Sequence, residues 1–168
     1  GQPSVQNIIP MNDHTEASLL SRSAALESHS THPLARAILN EAKSRGIEIT
    51  PGENFTMLVG QGAQGTIDNR VYWIGSHRLL DQWQPNSPHF HEVAAQLEDA
   101  GHSLVVMWCD DHVCGLMSIA DQVRSEAKSV VLSLKKLGIE KVVMITGDNK
   151  CTAEAVARLT GVDEYRAE

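Results

Sequence analysis

The spacing of apolar residues changes along the chain, and each change marks a different kind of element. Pro3 and Pro10 frame an opening stretch for which extended or irregular backbone is expected. Asp13-His14-Thr15-Glu16 has the form of a capping box, so a helix should follow. Ala17, Leu20, Ala24 and Glu27 recur at helical spacing, which puts Glu27 near the end of that helix, beside Ser28, His29, Ser30 and Thr31. Pro33 suits the first position of a second helix striped by Leu34, Ala37, Ile38 and Ala42, with Gly46 as its left-handed cap. From Glu53 to Gly75 the pattern becomes short apolar runs punctuated by Gly and Asn, which predicts antiparallel strands with Asp68-Asn69 as a turn. A short helix is expected after Gly75, and a longer one after the Pro85 to Pro88 loop, carrying Val93, Leu97 and Ala100 and ended by Gly101. Leu104 to Met107 and Val113 to Ile119 then read as a hairpin.

At Asp121 the order becomes helix, strand, helix. Val123, Ala127, Val130, Val131 and Leu134 form one stripe, Val142 to Ile145 is a continuous apolar run, and Ala153, Val156, Ala157 and Thr160 form the next stripe. A strand apolar on both faces between helices belongs to a parallel sheet. The expected division is therefore residues 1–119 as one domain and 120–168 as part of a second. The latter is too short to close a doubly wound sheet. The fold class is an α+β domain, an antiparallel sheet flanked by helices, followed by a partial α/β domain.

A net charge of −7 over 168 residues, with no basic cluster, excludes a nucleic-acid surface. No apolar run approaches the roughly 20 residues of a membrane span, so this stretch of chain is expected to be soluble. Cys109, Cys114 and Cys151 are an odd number without a CxxC pair, which suits a reducing compartment. Cys109, His112 and Cys114 offer zinc-type ligands, yet Asp110-Asp111 between apolar strands reads as a hairpin turn with its cysteines buried as small apolar residues. His29 with His32, and His89 with His91, lack evident third and fourth ligands. No metal site is expected.

Gly60-Gln61-Gly62-Ala63-Gln64-Gly65 fits a GxGxxG pattern, but a dinucleotide loop must lead into a helix and Thr66-Ile67 leads into a turn and another strand. Two alternatives remain open: a plain glycine-rich hairpin, or a backbone that a ligand approaches closely because Cβ atoms are absent. His32 holds an N-cap position where Ser, Thr, Asp or Asn is the usual choice. It is either a surface histidine or a ring able to stack on a purine, with Glu27 near enough to accept from an exocyclic amine. Thr146-Gly147-Asp148-Asn149 follows the apolar strand and precedes a helix, the place where open α/β sheets bind phosphate and Mg²⁺. Asp121 and Arg124 are expected to open the helix before it.

In order, these segments resemble the large cytoplasmic region of heavy-metal-transporting P-type ATPases. Ser28-His29-Ser30-Thr31-His32-Pro33-Leu34-Ala35 is similar to that family's histidine-proline nucleotide motif, with Glu27 five residues before the histidine. Gly60-Gln61-Gly62 resembles its glycine pair and Ile74-Gly75-Ser76 its later glycine motif. Asp121-Gln122-Val123-Arg124 resembles the entry to its haloacid-dehalogenase-like phosphorylation domain, and Met144-Ile145-Thr146-Gly147-Asp148-Asn149 its TGD motif. The resemblance implies an ATP-binding domain on the cytoplasmic face of a membrane. There Glu27 and His32 address adenine, while Gly60, Gly62, Gly65, Gly75 and Ser76 line the pocket near the sugar and phosphates. Thr146, Gly147, Asp148 and Asn149 would belong to the phosphate and Mg²⁺ region. The partners implied are the remaining phosphorylation domain, the actuator domain and the membrane domain. Ser76 stands where copper transporters usually carry asparagine, which points to the zinc, cadmium and lead branch.

The phosphorylated aspartate of such enzymes lies in an Asp-Lys-Thr-Gly-Thr segment that this sequence lacks, as it lacks the later Gly-Asp-Gly segment. The stretch is therefore expected to bind nucleotide as an excised piece and to be inactive alone. The alternatives are a fragment of a haloacid-dehalogenase-type phosphohydrolase, although no Asp-x-Asp motif is present, and a non-catalytic nucleotide-sensing module.

Overall fold

The computed structural model describes residues 3–58, 62–83, 88–110, 112–121, 123–124, 126–147 and 150–167, with only the backbone of 81–83, 88, 89 and 151. Strands β1 (Pro3–Pro10), β2 (Glu53–Leu58), β3 (Gly62–Ile67), β4 (Arg70–Gly75), β5 (Ser103–Cys109) and β6 (Val113–Asp121) form one six-stranded sheet in the order β1-β6-β5-β4-β3-β2. Every neighbouring pair in it is antiparallel. Helices α1 (Glu16–Glu27) and α2 (Pro33–Ser44) pack on one face, α3 (His77–Trp83) and α4 (Pro88–Asp99) on the other.

Strand alternation builds both cores at once. Along β5, Val105, Met107 and Cys109 join the cluster of Leu19, Leu20 and Ile38 from α1 and α2, whereas Leu104, Val106 and Trp108 join Leu80, Phe90 and Ala94 from α3 and α4. A strand covered on both faces has no solvent side, so every residue from Leu104 to Cys109 is buried.

The first helix starts later than the sequence pattern suggests. Thr15, not Asp13, is the N-cap: its hydroxyl accepts from Ser18 N–H at 3.1 Å, and the Ser18 hydroxyl accepts from Thr15 N–H at 3.0 Å. Asn12 and Asp13 have φ of 49° and 63° and form the turn from β1 instead. The opening stretch is a strand because β6 supplies a ladder for it, from Pro10↔Gly115 to Pro3↔Asp121. That pairing also corrects the expected role of Asp121. It closes β6 rather than opening a helix, and Arg124 precedes a helix that begins only at Ala127. The sheet thus runs two residues past the expected division at 119/120.

Beyond it lie α5 (Ala127–Lys136), β7 (Val143–Ile145), α6 (Lys150–Thr160) and β8 (Glu164–Arg166). β7 and β8 pair in parallel, as a strand–helix–strand crossover requires. Val143 and Ile145 are exposed, the latter at 80%, so the apolar run is covered on less than both faces. No helix among the described residues is long and apolar enough to cross a membrane.

Candidate functional site

The C-terminal end of α1, strands β2 and β3 and the end of β4 enclose a cavity of about 450 Å³. Glu27, Ser30, Thr31, His32 and Leu34 supply one side, Phe55, Met57 and Leu58 of β2 another. Gly62, Ala63, Gly75 and Ser76 lie on the sheet side with Leu104 and Val105. Five residues singled out from the sequence, Glu27, His32, Gly62, Gly75 and Ser76, thus meet although 49 positions separate the first from the last. Gly60 lies outside the described residues. A cavity of about 530 Å³ beside Ser18, Arg22, Thr50 and Asp68 contains none of them.

Local hydrogen bonding explains how α1 delivers Glu27. The helix stops there because the Ser28 hydroxyl bonds back to the carbonyl of Ala25 at 2.8 Å and Ser30 N–H donates to the Glu27 carbonyl at 2.9 Å. Burial pushes the Glu27 carboxyl above its usual range, and a hydrogen bond with the Ser30 side chain offsets part of that rise. A half-buried carboxylate at a helix C-terminus is an acceptor held away from water, where the helix dipole also disfavours its charge.

His32 does cap α2. Its Nδ1 accepts from Leu34 N–H at 3.2 Å, and the His32 backbone N–H donates to the Ser30 hydroxyl at 3.2 Å. A neutral ring accepting at Nδ1 carries its proton on Nε2, so capping leaves the exposed ring with a donor to spare. Pro33 at the first helical position fixes where the ring emerges. His29 packs on Phe55 with ring centroids 4.8 Å apart, so the two histidines of that loop have separate tasks.

The glycines divide differently from the sequence expectation. Gly62 has φ of 145°, and a Cβ there would lie 2.1 Å from the Ile74 carbonyl oxygen and 2.7 Å from Gly75 Cα. Close approach of β3 to β4 therefore requires it, before any ligand does. Gly65 is not brought to the cavity. A Cβ on it would sit 2.7 Å from Cδ2 of Leu26, so it admits α1 onto the sheet.

Thr146 N–H donates to the Arg166 carbonyl at 3.0 Å, extending the β7–β8 pairing, and Gly147 is exposed with open space where a Cβ would be. Asp148 and Asn149 lie outside the described residues. A wide cleft of about 820 Å³ reaches from Leu34 and Ser103 past Asp121 and Arg124 to Val156 of α6. Leu34 lines both this cleft and the smaller cavity.

The apolar walls of the cavity escaped the sequence pattern. Phe55, Met57, Leu58, Leu104 and Val105 look like ordinary strand residues. The one signal is Met57, a large apolar side chain left 57% exposed. Of the histidine pairs, His91 Nδ1 lies 3.0 Å from His77 Nε2, and the side chain of His89 is outside the described residues. Cys109 and Cys114 are both buried, as the hairpin predicts, and His14 from before α1 reaches Cys114 and His112.

A haloacid dehalogenase-like hydrolase family model matches residues 1–168. Among curated relatives, a probable cadmium-transporting ATPase of Staphylococcus aureus is 36% identical over 173 residues, covering 100% of this chain and 22% of that protein. A zinc-exporting P-type ATPase of Mycobacterium marinum is 37% identical over 170 residues, covering 100% and 23%. The chain thus spans between a fifth and a quarter of the length of these relatives. The crystal structure of a zinc-transporting PIB-type ATPase in the E2.Pi state superposes with a TM-score of 0.84 at 32% identity, covering 99% of this chain and 26% of that one. The N-domain of HMA8, a copper-transporting P-type ATPase, shares the fold at a TM-score of 0.59 and 24% identity, 70% of this chain covering 99% of it.

Proposed function

The chain belongs to the haloacid dehalogenase-like hydrolase family, and from that premise we propose that it is the nucleotide-holding part of a heavy-metal-exporting P-type ATPase. The cavity between α1 and β2–β4 takes the adenine nucleotide. The observation that carries this is the convergence of Glu27, His32, Gly62, Gly75 and Ser76 on one cavity of nucleotide size. Glu27 accepts from the adenine amine. The His32 ring stacks on the base, whose apolar faces meet Phe55 and Leu104. Ser76 and the backbone of Gly75 flank the sugar and phosphates.

Because Leu34 is common to the cavity and the cleft, the phosphate tail has a route toward Asp121, Arg124 and the side of α6. Thr146, Gly147, Asp148 and Asn149 belong to the phosphate and Mg²⁺ region, and the γ-phosphate goes to an aspartate that this sequence does not contain. The remaining phosphorylation, actuator and membrane domains are the partners, which puts the chain on the cytoplasmic face of a membrane. The division falls near residue 119, just before the sheet's last residue at Asp121. Ser76 favours zinc, cadmium or lead as the exported ion.

Calorimetric titration tests the pocket. ATP and ADP should bind, and GTP should bind about tenfold more weakly or worse, since its carbonyl would face the Glu27 carboxylate at a cost of roughly 1–3 kcal/mol. Equal affinities for ATP and GTP would sink the assignment. With γ-labelled ATP and Mg²⁺ no acid-stable, hydroxylamine-sensitive phosphoenzyme should form, because positioning without an in-line nucleophile gives no transfer. Such a label, lost in Asp148→Asn, would overturn the view that this chain only holds the nucleotide.

A further inference from the structure

Four soft or borderline donors meet at the turn end of the β5–β6 hairpin, at the opposite end of α1 from Glu27. His14 Nε2 lies 2.8 Å from His112 Nε2, and Cys109 Sγ lies 3.7 Å from the same His112 nitrogen. Cys109 and Cys114 Sγ are 3.9 Å apart, and the donor atoms of His14, His112 and Cys114 all lie within 4.8 Å of one another. Both thiols are buried, while the two imidazoles are half-buried and give access from solvent.

These separations can be compared with a tetrahedron built on ordinary zinc bonds. Bond lengths of about 2.3 Å to sulfur and 2.0–2.1 Å to nitrogen require edges of about 3.8 Å between sulfurs, 3.6 Å between sulfur and nitrogen and 3.3 Å between nitrogens. The Cys109–Cys114 edge at 3.9 Å and the Cys109–His112 edge at 3.7 Å already match. The imidazole pair must open by about half an ångström from its hydrogen-bonded distance, and Cys114, within 4.8 Å of both imidazoles, must draw in toward them.

We propose that His14, Cys109, His112 and Cys114 bind one divalent cation of the zinc and cadmium class. Two imidazoles and two thiolates in tetrahedral array favour zinc over oxygen-seeking Mg²⁺ or Ca²⁺. Binding replaces the proton shared between the two Nε2 atoms and releases one proton from each thiol. His14 then carries its proton on Nδ1, so Arg22, which donates to that nitrogen at 3.0 Å before binding, must let go of it and stay beside the Tyr72 ring, 5.3 Å from its centre. The bound ion would tie the loop before α1 to a hairpin about a hundred residues away, closing a long loop in the folded state alone.

The purified, chelator-treated and reduced chain is titrated with Co²⁺ as the spectroscopic probe. The expected result is thiolate-to-cobalt charge-transfer absorption with tetrahedral d–d bands, saturating at one ion per chain and displaced by Zn²⁺ or Cd²⁺. Cys114→Ser and His112→Ala should lose the bands, and Cys151→Ser should keep them. His14 lies outside every helix and strand, so His14→Ala is the decisive variant if a buried substitution unfolds the chain. It should weaken Zn²⁺ binding by more than about 100-fold with an unchanged circular dichroism spectrum. Absence of charge-transfer bands in the unmodified chain, or His14→Ala binding Zn²⁺ as tightly as the parent, overturns the proposal.

Discussion

Strands β5 and β7 are written in nearly the same apolar alphabet and have opposite fates. Leu104 to Cys109 is buried throughout, whereas in β7 Val143 is 40% and Ile145 80% exposed. β5 lies between β4 and β6 with helices over both faces, while among the described residues β7 pairs with β8 alone. The contrast extends to the helices. α1 buries Leu19, Leu20, Ala24 and Leu26, but α5 leaves Val130, Leu132 and Leu134 exposed and buries Val131. Apolar sequence specifies what an element needs to cover it, and neighbours decide whether it is covered. An exposed set of this kind marks a surface made to be packed against something further.

The harshest way to break the contrast is Gly62→Val. A side chain 2.1 Å from the Ile74 carbonyl cannot be accommodated without separating β3 from β4, so a loss of about 3 kcal/mol or more is expected. This differs from the outcome expected if the glycine served only the ligand, which is lost binding on an intact fold. Urea melts monitored by circular dichroism distinguish the two.

Truncations in matched positions sharpen it. Met107→Ala removes a fully buried side chain and should cost about 2–5 kcal/mol. Ile145→Ala, taken from a strand of the same type, should change stability by about 0.5 kcal/mol or less. Comparable costs in chemical denaturation would mean that β7 is covered as β5 is.

Glu27→Gln separates binding from folding. Burial holds the carboxyl above its usual range, so at neutral pH the folded state keeps a charge that the unfolded state carries more easily. The raised value means that this group's contribution to stability falls as pH climbs from the unfolded carboxylate range, about 4.3, through the folded one. The glutamine variant should therefore be more stable than the parent at pH 7 and equal to it in acid below that window. The same change should weaken ATP binding about tenfold, because an amide is a poorer acceptor for the adenine amine than a carboxylate. Thermal melts across pH and calorimetry read the two effects independently.

A modest effect is expected from His32→Ala. Removing the ring nitrogen that accepts from Leu34 N–H leaves the first turn of α2 uncapped, for about 1 kcal/mol. It should also weaken nucleotide binding several-fold. A stability loss with unchanged affinity in calorimetry would assign the ring to capping alone.

Much of this was legible in the chain. Glu27 near the end of α1, Pro33 as the first residue of α2 and Asp68-Asn69 as a turn follow from caps, fixed φ and left-handed tolerance, all effects of range four residues or less. The clustering of Glu27, His32, Gly62, Gly75 and Ser76 was available only through resemblance, since no local rule joins a helix end to two strands. What local patterns misjudged was set by partners far away in sequence. Pro3–Pro10 is a strand because β6 lies beside it, and Asp121 is extended because Pro3 pairs with it. His14 meets Cys114 across 100 residues of chain.

By itself, then, the sequence determined where α2 begins, near which residue α1 ends, the two periodicities and the donors available at each turn, because backbone sterics and side-chain chemistry act locally. Only the tertiary structure decided that Gly62 lets β3 approach β4 and that Gly65 admits α1 onto the sheet. It also decided that Phe55 and Met57 form a cavity wall and that two histidines complete a pair of thiols. Those outcomes depend on which surfaces come within a few ångströms of each other, and sheet order, which joins residues a hundred positions apart, sets that.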